Sequence, residues 1–259
     1  MKIFDTHAHY DDDAFDEDRE KLLDESFGAG KTVCNIANIG CDIESSRESV
    51  RLAERYDYMY AVVGVIPHHV GDMTEVDLEE LRRLAKESKK VVAIGEIGLD
   101  YHYDEPSKEK QFKWFSAQME LAKELGLPIV IHSRDAAQDT YELMKKAHAE
   151  EIGGVVHCYS YSEEMSREFL KMGFYFGIGG VVTFKNSKKL KRAVESIPIS
   201  NIVLETDSPY LTPSPYRGER NNSGYLPYVV SEIARLKGMT EEEVAEITFE
   251  NACRLYRLS

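Results

Sequence analysis

The chain has 259 residues, 42% of them hydrophobic, with a formal net charge of −14. That length can bury a large core, and with no Pro/Gly/Ser-rich tract, low-complexity run or close repeat to mark a linker, one domain over 1–259 is expected. The acidic balance argues against a broad nucleic-acid-binding surface, which needs a basic footprint, and no apolar run approaches the ~18 residues of a membrane span.

The first predicted strand, 2–9 (KIFDTHAH), ends in two histidines one residue apart. In an extended strand alternate side chains share a face about 7 Å apart, so His7 and His9 can point at one metal ion. Seven further short β-branched or aromatic runs follow, at 32–39, 59–66, 91–97, 128–133, 153–158, 174–180 and 202–207. Helical periods separate them at 14–28, 43–56, 77–88, 107–125, 135–149, 162–172 and 187–196, and two more at 225–237 and 240–256 close the chain. Eight βα units in this length are the arithmetic of a (β/α)8 TIM barrel, an α/β fold, here with extra C-terminal helices. The rival open doubly wound sheet calls for a glycine-rich first turn, whereas the first turn reads HAHYDDDAFD.

Acids and histidines gather at the carboxyl ends of the predicted strands: Glu96 in VVAIGEIGLD, His132 in PIVIHSRD, His157 in GGVVHCYS and Asp207 in IVLETDSPY. In a barrel those ends share one face, where the chemistry sits. His7, His9, Glu96, His132, His157 and Asp207 therefore form a six-member candidate ligand set. Six ligands exceed what one tetrahedral zinc needs, so two divalent ions of zinc, manganese or magnesium type are expected, bridged by a carboxylate. Asp207 is also the candidate proton acceptor. Glu205, two residues earlier, shares the inward face of a regular strand and is placed to orient a water or a ligand. Arg134, directly after the strand-five histidine, suits bidentate contact with a phosphate, with pairing to Asp135 as the alternative.

The strings DTHAH, AIGEIGLDY, IHSRDA, VHCYS, LETDSPYL and RGERN resemble those of the TatD family of metal-dependent hydrolases, within the amidohydrolase-like superfamily of barrels. The resemblance implies that His7 and His9 hold one metal with Asp207, that His132 and His157 hold the other, and that Glu96 bridges them. It further implies deoxyribonuclease activity, including 3′→5′ exonuclease action on single-stranded DNA. The family's G-V-H-P-H segment is GVIPHH here, so Ile66 replaces the first histidine while His68 remains a candidate substrate contact. R-G-K-R-N-E-P becomes RGERNNS, with Arg217, Arg220 and Asn221 as further candidate substrate contacts. Lys185, Lys188, Lys189, Lys191 and Arg192 follow the seventh strand and are either a solvated helix face or a local attraction for a DNA backbone.

Four scattered cysteines without a C-x-x-C pair suit a reducing compartment, and with charged residues from Lys2 onward a cytoplasmic protein is expected. No membrane association and no obligate protein partner are expected. The alternative activity keeps the same metals but hydrolyses a small amide, ester or lactone. A non-catalytic barrel is the third reading.

Overall fold

The computed structural model describes residues 1–258. Eight parallel strands run in the order β1 to β8: Ile3–Ala8, Val33–Ile39, Met59–Val63, Val91–Asp100, Ile129–Arg134, Gly154–Val156, Tyr175–Ile178 and Ile202–Leu204. The ring closes between the first and last. A parallel bridge joins Ala8 to Ser208, His9 donates its amide to the Ser208 carbonyl at 2.8 Å, and Asp207 donates its amide to the His7 carbonyl at 2.9 Å.

Seven helices, α1 to α7, cross from each strand to the next: Arg19–Ser26, Ile43–Arg55, Glu75–Glu87, Lys108–Leu125, Ala137–Lys146, Glu163–Lys171 and Lys188–Ser196. Two more, α8 (Leu226–Lys237) and α9 (Glu241–Leu255), follow β8. The TIM barrel expected from the sequence is the observed fold. Local chemistry sets many of the boundaries. α2 begins where the Asp42 carboxylate accepts the Ser45 amide, and α4 ends at Gly126, whose φ of 67° is the left-handed state glycine adopts without strain. In α3, Leu78, Leu81 and Leu84 recur at helical spacing and are buried.

Phe4, Val62, Val92, Val130, Val155 and Val203 come from six different strands yet form one apolar cluster, which places them in the lumen. Leu255 and Tyr256 at the end of α9 join that cluster, and the Tyr256 hydroxyl donates to the Thr6 carbonyl at 2.7 Å. The lumen is thus a packed floor. Whatever polar side chains the upper strand ends carry must collect above it.

Several elements differ from the sequence-based boundaries. β4 runs three residues longer, to Asp100, whereas β3, β6, β7 and β8 stop early. The 14–28 helix begins only at Arg19, because Asp13–Phe15 forms a separate 3₁₀ turn capped by Asp12. No helix among the described residues is long and apolar enough to cross a membrane.

Candidate metal centre

All six expected ligands meet at the carboxyl-end mouth of the barrel. His7 lies in β1 and His9 one residue beyond it, with their Nε2 atoms 3.2 Å apart. His9 Nδ1 lies 2.9 Å from the Ile39 carbonyl, so Nδ1–H donates there and Nε2 keeps its lone pair. That lone pair faces Asp207 Oδ1 at 3.4 Å, and His7 Nε2 stands 3.7 Å from the same oxygen.

Asp207 does not reach the mouth by strand alternation. β8 ends at Leu204, and Asp207 takes a left-handed conformation with φ of 59°, which turns its side chain into the cavity. Asp tolerates that state better than most residues because it is short and polar.

Glu96 spans the two halves of the cluster. Its Oε2 is 3.3 Å from His7 Nε2, and its Oε1 is 2.7 Å from His132 Nδ1 and 3.7 Å from His157 Nε2. Burial alone would raise the Glu96 pKa, but the charges of His157 and His7 and the hydrogen bond with His132 hold it well below the usual carboxylate range.

Two further carboxylates orient the imidazoles from behind. Glu205 Oε2 lies 3.2 Å from His157 Nδ1, and Oε1 accepts the Cys158 amide at 2.6 Å. Glu205 therefore aims the His157 Nε2 lone pair at the cavity and has its own oxygens occupied by that task. It fits in the lumen because residue 177 is glycine: a Cβ there would meet Glu205 Oε2 at 1.9 Å. On the other side, Asp100 Oδ2 is 2.8 Å from His132 Nε2 and leaves Nδ1 to face Glu96. Burial works to lower the His132 pKa, yet the bonds to Asp100 and Glu96 outweigh it and hold the group at about 9.

The donor set fits divalent cations. His7 Nε2, His9 Nε2 and Asp207 Oδ1 make one group of mutually close ligand atoms, and Glu96, His132 and His157 make another. Buried His7 Nδ1 has no hydrogen-bond partner, while the Nε2 edges of His7, His9 and His157 converge with two carboxylates. This arrangement of lone pairs suits metal coordination, with the open side toward a cavity of about 590 Å³.

His68 and Arg134, two of the five expected substrate contacts, line that cavity. Exposed Arg134 lies 5.8 Å from the Tyr103 ring centre, and no carboxylate pairs with it among the described residues. The sequence offered Asp135 as its alternative partner, but Asp135 instead approaches His102 at 3.8 Å. The other three expected contacts lie away from the cavity lining. Arg220 makes a two-pronged ion pair with Asp18 and donates to the Ala14 carbonyl. Asn221 is fully buried and donates to the carbonyls of Thr206 and Tyr210, so it holds the loop after β8. Arg217 lays its guanidinium over the Phe184 ring at 3.8 Å. Lys191 of the basic run pairs with Glu232, whereas Lys185, Lys188 and Lys189 are exposed.

Three contributors escaped the sequence reading. Asp100 lies four residues after Glu96 on β4, so strand alternation carries both to one face; that period-2 signal in EIGLD was available. Tyr210, 55% exposed, lines the cavity and donates its hydroxyl to Asp12 at 2.7 Å. Asp5 is enclosed and accepts from the Thr206 and Ser223 hydroxyls, both at 2.6 Å, which ties β1 to the chain beyond β8.

A cluster of four imidazoles and two carboxylates at the carboxyl-end mouth of a (β/α)8 barrel defines the class: a barrel hydrolase equipped for divalent-metal chemistry. Comparison with known proteins narrows it. The profile of the TatD related DNase family matches residues 4–257. The chain is 46% identical over 257 residues to the metal-dependent hydrolase YabD of Bacillus subtilis (strain 168), covering 99% of this chain and 100% of that one. It is 33% identical to the metal-dependent hydrolase YcfH of Escherichia coli (strain K12), covering 100% and 97%. The crystal structure of YJJV, a TatD homologue from E. coli K12, superposes with a TM-score of 0.92 at 29% identity, over 99% of this chain and 98% of the other. The chain belongs to the TatD related DNase family and is a metal-dependent hydrolase.

Proposed function

We propose that the protein hydrolyses DNA phosphodiester bonds with two divalent ions, of zinc, manganese or magnesium type, acting as a 3′→5′ exonuclease on single-stranded DNA. The DNA substrate, the strand preference and the polarity come from the family likeness. The observation that carries the phosphodiester reading is Arg134: a guanidinium with no carboxylate partner among the described residues, on the rim of the cavity that holds the histidine–carboxylate cluster. A planar fork left unpaired beside a cation-binding centre suits a phosphate oxygen pair.

In this reading His7, His9 and Asp207 would hold one ion and His132 and His157 the other, with Glu96 shared between them. When bound, the ions supply Lewis acidity and lower the proton affinity of a water, the chemistry that phosphoester hydrolysis needs near neutral pH. The remaining work falls to the protein. As a water oxygen bonds to phosphorus, the P–O bond to the leaving 3′-oxygen breaks; Asp207, which lines the cavity, takes the water's proton and gives a proton to the leaving oxygen. Glu205 and Asp100 fix the tautomers of His157 and His132. Arg134 grips non-bridging phosphate oxygens and stabilises the charge that builds on them. Exposed Tyr103 and Tyr210 offer faces for a base at the mouth.

The test is a time course on single-stranded oligonucleotides labelled at either end, run with chelator and with added manganese, magnesium or zinc. A parallel panel contains amides, esters and lactones. Release of mononucleotides from the 3′ end, abolished by chelator and restored by metal, is expected. Metal-dependent cleavage of a lactone or amide with no release from any oligonucleotide would overturn the nuclease reading.

A further inference from the structure

Around the mouth the lining is sorted by charge. Toward the loops after β1 and β2 the cavity opens into a basin lined by seven carboxylates, among them Asp11, Asp13, Asp16, Asp42, Glu44 and Glu48, against Arg19, Arg51 and His69, the last 3.4 Å from Asp42. Both guanidiniums are already paired, Arg19 with Asp16 and Arg51 with Glu48. Beyond β4 a third opening is lined by His68, Tyr103, Asp104 and Glu105. The opening above β5 to β8 differs: it shares His132, Arg134, His157, Asp207 and Tyr210 with the central cavity. It then continues past Ser160, Val181 and Leu211, with no carboxylate except Asp207 itself. Of the exposed lysines that follow Val181, Lys185 lies on the β7–α7 connection and Lys188 and Lys189 open α7.

In this acidic chain Arg19, Arg47, Arg51, Arg55, Arg82 and Arg83 each have a carboxylate partner, as do Arg167, Arg220, Arg235 and Arg254. Arg192, Arg217 and Arg257, like Arg134, lack a carboxylate partner among the described residues, but none of the three lines the central cavity, so Arg134 is the one unpaired guanidinium there. Arg134 stands free where the central cavity meets the acid-poor opening.

We propose that a nucleic-acid strand leaves the metal centre only through the β5–β8 opening, with Arg134 holding its first phosphate, and that the carboxylate basin bars the opposite exit. The inference rests on the phosphodiesterase reading and adds a direction to it. Each phosphate laid in the basin meets several like charges at short range in a concave surface, where fields focus. A strand that ends at the metals avoids that repulsion. A strand cut internally must also leave by the basin or past Asp104 and Glu105, and on either path it meets carboxylates. Restriction to strand ends then follows from electrostatics, with no steric cap required.

The experiment compares linear and circular single-stranded DNA of one sequence, with bis(p-nitrophenyl) phosphate as a small phosphodiester control. The wild-type protein is expected to degrade the linear form and to cut the circle far more slowly. The triple variant Asp13→Asn, Asp16→Asn, Glu44→Gln changes only exposed side chains of the basin. It is expected to narrow the linear-to-circular rate ratio by about threefold or more while leaving cleavage of the small diester unchanged. Arg134→Gln is expected to weaken oligonucleotide binding and to reduce the slope of log affinity against log salt by about 0.7. Equal cutting of circle and line by the wild type, or a ratio unmoved in the triple variant, overturns the inference. Failure of the wild type to cleave both the oligonucleotide and the small diester with any metal would instead sink the phosphodiesterase reading, and this inference with it.

Discussion

One oxygen of Asp100 lies between two imidazoles: Oδ2 hydrogen-bonds His132 Nε2 at 2.8 Å and stands 2.8 Å from His68 Nε2. Burial alone would raise the Asp100 pKa, but the hydrogen bond with His132 and the bond from the His102 amide hold it down at about 2, so it stays charged. A carboxylate behind a ligating histidine fixes the ring and raises its basicity. Asp100→Asn is therefore expected to weaken metal binding about 10- to 100-fold, read by competition with a chelating dye. Its metal-free melting temperature should change far less than its metal affinity, which separates positioning from general damage.

Glu205 makes the matching contact on the other side of the cluster, and Gly177 is the space it needs. Gly177→Ala places a methyl group where Glu205 Oε2 now lies. Overpacking of this kind costs about 1–3 kcal/mol, measurable as a lower denaturant midpoint. Activity should fall further than that loss of stability explains, because His157 loses its orienting partner. Glu205→Gln keeps the shape, and is expected to lower metal affinity with little change in that midpoint.

The histidine cluster makes the metal-free protein sensitive to pH. His132 and His157 are both held at about 9, against 6.5 for an unperturbed histidine: burial lowers each, and carboxylate partners more than compensate. Because their folded-state pKa values are raised, the stability they contribute is fully present below 6.5 and is lost as pH rises through about 9. Metal binding must displace those same protons, so apparent affinity climbs across the same interval. The expected result is a melting-temperature gap between metal-loaded and metal-free protein that widens with rising pH over this range. A gap that narrows would contradict the assignment of His132 and His157 as ligands.

Asn221 and Arg220 should behave as structural residues. Asn221→Ala leaves the buried Thr206 carbonyl and the part-buried Tyr210 carbonyl without their donor, at a cost of about 1–3 kcal/mol for the buried group and less for the other, visible in denaturant unfolding. Arg220→Gln breaks a pair at the surface and should cost about 1 kcal/mol or less. The KM for an oligonucleotide should be unchanged in Arg220→Gln, whereas Arg134→Gln should raise it.

Much of the centre was legible in the linear chain because a barrel turns strand ends into neighbours. His7, Glu96, His132, His157 and Asp207 each follow or end an apolar run, and the alternation of strands with helical periods is enough to bring those ends to one face. The line was less clear where the strands stop. Glu205 and Asp207 were expected to share a face of a regular strand, but β8 ends before them; Glu205 packs against His157, and a left-handed turn aims Asp207. The sequence of β4 does not mark its extension to Asp100, because GLDY reads equally well as a turn.

Taken alone, the order of residues determined the barrel and the six-member set of candidate ligands, since periodicity and strand ends are local properties that the fold only has to gather. Tertiary structure decided which charges remain available. Arg220 is neutralised by Asp18, 202 positions away, while Arg134 escapes the Asp135 beside it. Coulomb energy depends on distance and dielectric through space, and neither quantity is written in separation along the chain.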